Sequence, residues 1–197
     1  MTAVATASTP ATRRMTAAEF FAWVHRPENR NHFFELDRGE VVELPPPGKY
    51  HGFVCGNISR ILGVFAIQRR KGYVCTNDAG VLVEQDPDTV RGPDVTFYED
   101  AQSADDMDRQ YAARPPLLAV EVSSPNDRIN RTIRRITQML HAGVAQVWLV
   151  DPEGRDVSVY RAGQDPMLLT EGQELTGDPA LPDFRCRIAD FFALPGA

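Results

Sequence analysis

The sequence predicts an α/β fold of mixed α+β character: a central mixed β-sheet flanked by helices and built on a βαβ core. Leu117 to Val122 and Ala145 to Val150 are continuous apolar runs of strand length, rich in β-branched residues, as in strands buried on both faces. Between them, Asp127 to His141 sets Ile129, Ile133, Ile136 and Leu140 at helical spacing, and Gly143 closes the segment. A strand, a helix and a strand in this order place the two strands parallel, joined by a right-handed crossover.

The remaining elements follow in chain order. Residues 1–15 are rich in Ala and Thr and read as a disordered tail, which leaves 16–197 as one domain. Thr16 and Glu19 form a capping box that opens a short helix through Val24. Phe33 to Leu36 and Val41 to Leu44 flank Asp37-Arg38-Gly39 as a hairpin. From Lys49 to Lys71, Val54, Ile58, Ile61, Leu62 and Phe65 recur with helical period, and Gly72 ends the run.

Tyr73 to Thr76 and Gly80 to Glu84 are short strands around the turn pair Asn77-Asp78. Gln85 to Gly92 reads as a polar loop before a strand from Pro93 to Tyr98, and Glu99 to Arg114 as an acidic, mobile surface loop with room for a helical turn. Val157 to Tyr160 and Met167 to Thr170 suggest a closing antiparallel hairpin, and Ile188 to Phe192 a short terminal helix.

A net charge of -6 argues against coating nucleic acid through bulk positive charge, while leaving room for a local basic groove. Cys55, Cys75 and Cys186 have no paired spacing and read as free thiols of a cytoplasmic protein. No run approaches the roughly 18 apolar residues of a membrane span.

Glu121 poses the first chemical question, because it lies inside the predicted central strand. A carboxylate there loses hydration at a cost of roughly several kcal/mol unless a cation or hydrogen bonds compensate. Asp94 enters a neighbouring strand, and Glu35 lies on the first hairpin. Converging carboxylates require a cation, and a hard divalent ion such as Mg2+ is the usual partner. The alternatives are a backbone-bonded Asp94, a Glu121 paired with an arginine, and an exposed Glu35.

The order of Pro93-Asp94, then Glu121-Val-Ser123 on a strand before a helix, resembles the PD-(D/E)XK nuclease superfamily. More closely, the chain is similar to the Uma-two family of restriction endonuclease-like domains. The resemblance is carried by Phe34-Glu35-Leu-Asp-Arg-Gly39-Glu40, Pro45-Pro-Pro47-Gly48 and His51. It continues through Val90-Arg-Gly-Pro-Asp94-Val, Val120-Glu121-Val-Ser-Ser-Pro125, Ala142-Gly-Val-Ala-Gln-Val-Trp148-Leu-Val-Asp-Pro152 and Leu181-Pro-Asp-Phe184.

The resemblance implies a restriction endonuclease-like fold and a Mg2+ (or Mn2+) site formed by Glu35, Asp94, Glu121 and the backbone carbonyl of Val122. It further implies a metal-dependent endonuclease acting on DNA. The superfamily places a lysine two residues after the second strand carboxylate, where this chain has Ser123. In the family that lysine lies on the following helix, at the position of Arg135. Arginine keeps the positive charge but cannot act as a general base.

A catalytically degenerate member that binds DNA or protein is therefore the second reading. His51 could donate to phosphate or orient Glu35, or be an exposed or partly buried histidine. Arg128, Arg131 and Arg135 share one arc of the helix, either as a phosphate-binding surface or as a solvated face. A third reading is a homodimer assembled through Trp148 and the hairpins.

Overall fold

The computed structural model describes residues 14–112, 114–124 and 128–194, so the expected tail over 1–13 and the expected helix start at Asp127 lie outside them. Helix α1 (Ala17–Val24) opens on the capping box: the Glu19 amide donates to Thr16 Oγ1 at 3.2 Å, and the Thr16 amide to Glu19 Oε2 at 2.9 Å. The hairpin β1 (Phe33–Asp37) and β2 (Glu40–Leu44) turns at Arg38 and Gly39, whose φ values of 52° and 79° are those of a two-residue type I′ turn. A side chain at Gly39 would also meet Arg14, because a Cβ there would lie 2.5 Å from Arg14 Cβ.

Helix α2 (Lys49–Arg69) ends on Arg70 in the left-handed region. The strands after it are β3 (Tyr73–Thr76), β4 (Val81–Glu84), β5 (Thr89–Arg91), β6 (Val95–Tyr98) and β7 (Leu118–Val122). Helix α3 (Ile129–His141) then leads to β8 (Gln146–Asp151), β9 (Asp156–Tyr160) and β10 (Met167–Thr170). A final hairpin, β11 (Glu174–Thr176) and β12 (Arg185–Arg187), precedes a 3-10 turn at Ile188–Phe191.

Six strands form the central sheet in the order β10-β9-β8-β7-β6-β3, with β7 and β8 parallel and their outer neighbours antiparallel. This is the predicted mixed sheet with a βαβ core. A second sheet, β2-β1-β5-β4, is antiparallel. The turn at Asn77 and Asp78, both at positive φ, carries the chain from β3 in the first sheet to β4 in the second.

Alternation along β7 decides which side each residue serves. Leu118, Val120 and Val122 pack with Val54, Ile58 and Leu62 of α2, and these three α2 residues are fully buried. Each contributes about 1.5–3 kcal/mol by leaving water. Ala119 packs with Ile136 and Met139 of α3 on the opposite face. Glu121 shares the parity of Ala119, so it points toward α3 and the second sheet.

Several expectations are corrected. The polar loop Gln85 to Gly92 contains β5, whose three residues are all buried, because it fills the middle of the second sheet. Ile129 and Ile133 do not belong to the buried face of α3: they are 64% and 37% exposed, and the helix seats on the sheet only from Ile136 onward. The terminal helix is a 3-10 turn, and the β11–β12 hairpin had no counterpart in the reading. Trp148 cannot supply a dimer surface, since it is completely buried against Phe184 and Phe191.

Candidate active site

The pairing of β6 with β7 brings two predicted site residues to one end of the central sheet. Val95 of β6 pairs with Val120 of β7, which leaves Asp94 just before the start of β6, beside the Glu121–Val122 end of β7. Asp94 is held at both oxygens: the Val122 amide donates to Oδ2 at 2.7 Å, and His51 Nε2, from the first turn of α2, donates to Oδ1 at 2.8 Å.

The bond to Asp94, with a smaller contribution from Cys55, pushes the His51 pKa up to about 10, so at neutral pH the ring is an imidazolium. The second ring nitrogen, Nδ1, is buried and has no hydrogen-bond partner among the described residues. Burial raises the Cys55 thiol above its ordinary pKa. Sequence reasoning offered His51 to phosphate or to Glu35; the structure gives it to Asp94.

Glu35 and Glu121 share one guanidinium. Arg135 donates through Nη2 to both oxygens of Glu121, at 2.9 and 3.0 Å, and through Nη1 to Glu35 Oε1. Glu35 is 1% exposed and also accepts from Arg91 Nη1 at 3.0 Å and the Gly92 amide at 2.9 Å. Burial pushes Glu121 upward; Arg135 opposes that shift, while the negative charges of Asp94 and Glu35 reinforce it. Burial alone would lower Arg135, but Glu121 and Glu35 hold its pKa above the usual arginine range. Of the two readings of Glu121, the structure shows the ion pair with an arginine.

Behind this pair lies a buried polar network that sequence reasoning missed. Arg91 donates to Gln138 Oε1 from Nε at 3.0 Å and from Nη2 at 2.8 Å, and Gln138 Nε2 donates to Glu84 at 2.9 Å. It ties β5 of the second sheet to α3. The available signal was Thr89-Val90-Arg91-Gly92-Pro93-Asp94 itself, in which an arginine follows two β-branched residues three positions before the carboxylate.

Gly92 joins the halves of the site. Its amide binds Glu35, its carbonyl accepts from Arg135 at 3.3 Å, and a Cβ there would lie 2.7 Å from Asp78 Cβ. Asp78 itself has a pKa raised to about 6, first by burial and then by the charges of Asp94 and Glu35. A cleft of about 1310 Å³ opens over Asp94, Glu121, His51 and Arg135 and is rimmed by Arg128 and Arg131. Arg128 and Arg131 are exposed, whereas Arg135 is largely buried beneath them.

A family model described as "Uma2: Putative restriction endonuclease" matches residues 17–189. The chain belongs to the Uma2 family. A solved structure of "a putative nuclease belonging to DUF820" from Anabaena variabilis ATCC 29413 is similar in fold, with a TM-score of 0.72 at 18% identity. That likeness covers 90% of this chain and 97% of the other. No curated protein matches the chain. The Uma2 match runs from the start of α1 into the final 3-10 turn, so it includes Asp94 and the βαβ unit that carries Glu121. No helix among the described residues is long and apolar enough to cross a membrane.

Proposed function

We propose that the chain is a metal-dependent endonuclease acting on DNA, with Asp94 and Glu121 at its centre. The observation that carries this reading is the placement of Asp94 and Glu121 together in one cleft lined by arginines. The donor set suits a hard cation, because carboxylate oxygens and a backbone carbonyl are the ligands that Mg2+ and Mn2+ prefer. Asp94, Glu121 and the Val122 carbonyl would hold the ion. When bound, it lowers the pKa of an attacking water and offsets charge on the scissile phosphate.

The protein's own residues have distinct parts. Glu35, saturated by Arg91, Gly92 and Arg135, anchors Arg135 and is a ligand only once that guanidinium moves. Released from Glu121, Arg135 reaches toward phosphate and stabilises the extra charge of the transition state. It remains protonated, so proton removal from water falls to another group. His51 orients Asp94 and presents a positive charge at the cleft, while Arg128 and Arg131 contact the DNA backbone.

Purified protein is expected to nick DNA with Mg2+ or Mn2+, and Asp94→Ala to lower the rate on the order of 1000-fold. Wild-type cleavage by Asp94→Ala would sink the proposal. A second reading, a DNA-binding member without turnover, draws on the same Arg135 that fills the space between Glu35 and Glu121. DNA binding without cleavage, with cleavage gained in Arg135→Lys, would favour it.

A further inference from the structure

Three chemically distinct side chains meet beside the carboxylate pair. His51 and Cys55 stand one turn apart on α2, at the i,i+4 spacing that puts both on one helix face. A ring nitrogen of His51, the sulfur of Cys55 and a carboxylate oxygen of Asp94 all lie within 4.8 Å of one another. Two donors about 2.0–2.3 Å from one ion are separated by no more than about 4.6 Å, so small side-chain adjustments suffice for all three to reach it.

A second observation points to a ligand. His51 Nδ1 is buried with no geometrically formed hydrogen bond among the described residues, and Cys55 is the neighbouring group that acts on the ring besides Asp94. The neighbouring thiol adds a soft donor that a Mg2+ centre has no use for.

We propose that His51, Cys55 and Asp94 form a binding site for a thiophilic divalent cation, of which Zn2+ is the type, distinct in chemistry from the carboxylate centre and sharing Asp94 with it. The His51 ring now bonds Asp94 at 2.8 Å, and the incoming cation takes the place of that bond. Uptake releases the ring proton and the thiol proton to solvent, and water completes the coordination. A filled site ties up the carboxylate that the proposed nuclease centre needs, so Zn2+ inhibits cleavage. That consequence rests on the functional reading above; the binding itself does not.

The full chain is titrated with Co2+ as a spectroscopic stand-in and with Zn2+. One equivalent is expected to bind, with a thiolate-to-cobalt charge-transfer absorption that disappears in Cys55→Ser, where Zn2+ affinity falls by at least about tenfold. In the wild-type protein, one equivalent of Zn2+, unlike excess Mg2+, shields Cys55 from alkylation relative to Cys75 and Cys186, as read by peptide mass. This measurement needs no variant and no DNA, so its failure is separable from failure of the nuclease reading. Absence of the charge-transfer absorption, or alkylation of Cys55 at the same rate with and without Zn2+, overturns the site. Zn2+ inhibition that persists undiminished in Cys55→Ser overturns it as well.

Discussion

The two ends of the cleft neutralise their carboxylates in different ways. At one end, Glu35 and Glu121 are met by Arg135, with Arg91 behind it, and a guanidinium cannot give up its proton at any ordinary pH. At the other end, Asp94 is met by the imidazolium of His51, which can. The first arrangement secures the fold, because the buried charges are paired and hydrogen-bonded through β1, β5, β7 and α3. The second leaves a carboxylate whose partner can be exchanged, and it opens on the cleft.

Removing the permanent charge tests this contrast most severely. Arg135→Met strands Glu121 in a buried setting and leaves Glu35 to Arg91 and the Gly92 amide, and urea unfolding should show a loss of about 3–5 kcal/mol. A loss below about 1 kcal/mol would mean that the two carboxylates do not depend on the guanidinium, and the contrast between the ends would collapse.

Gly92 is next, since it serves both Glu35 and Arg135 through its backbone. Gly92→Ala drives a methyl group into Asp78, with contacts of 2.7 Å to Cβ and 2.8 Å to the carbonyl oxygen. The expected destabilisation is about 1–3 kcal/mol, measured as a lower unfolding midpoint. A neutral result would show that the joint between the ends is loose enough to yield.

Asp78 gives a smaller effect whose sign depends on pH. Its pKa rises from 3.8 to about 6 on folding, so within that window the folded state binds more protons than the unfolded chain. Stability therefore falls as pH rises through the window, and the full penalty is present above it. Asp78→Asn removes the charge and should stabilise the protein at neutral pH by about 1 kcal/mol after allowance for solvent screening. That gain should vanish below the ordinary carboxylate pKa, and a pH-independent gain would assign the effect to packing instead.

The smallest expected effect belongs to the rim. Arg131→Ala should weaken DNA binding equally for all sequences and reduce the slope of log affinity against log salt by about 1. An unchanged slope would return Arg131 to the solvated face that was its other reading.

Much of the scaffold was legible beforehand because its signals are local. The apolar runs of β7 and β8, the Thr16 capping box and the Asp37-Arg38-Gly39 turn each lie within a few residues of chain. Misreadings arose where burial came from distant partners. Arg91 and Gln138 look like surface residues in sequence, yet they fill a polar interior between the second sheet and α3. Ile129 and Ile133 look like core at helical spacing, but α3 overhangs the sheet there and leaves them in solvent.

The sequence by itself determined the mixed sheet, the βαβ core and the candidate carboxylates Glu35, Asp94 and Glu121, because apolar periodicity and residue type act over short spans. The pairing of each carboxylate was decided only in the tertiary structure. Arg135 reaches Glu35 across 100 positions of chain and Glu121 across 14, while His51 reaches Asp94 across 43. Side-chain charges of one sign are interchangeable in a sequence. They become distinct when strand register and helix packing bring one within hydrogen-bond distance and leave the others in water.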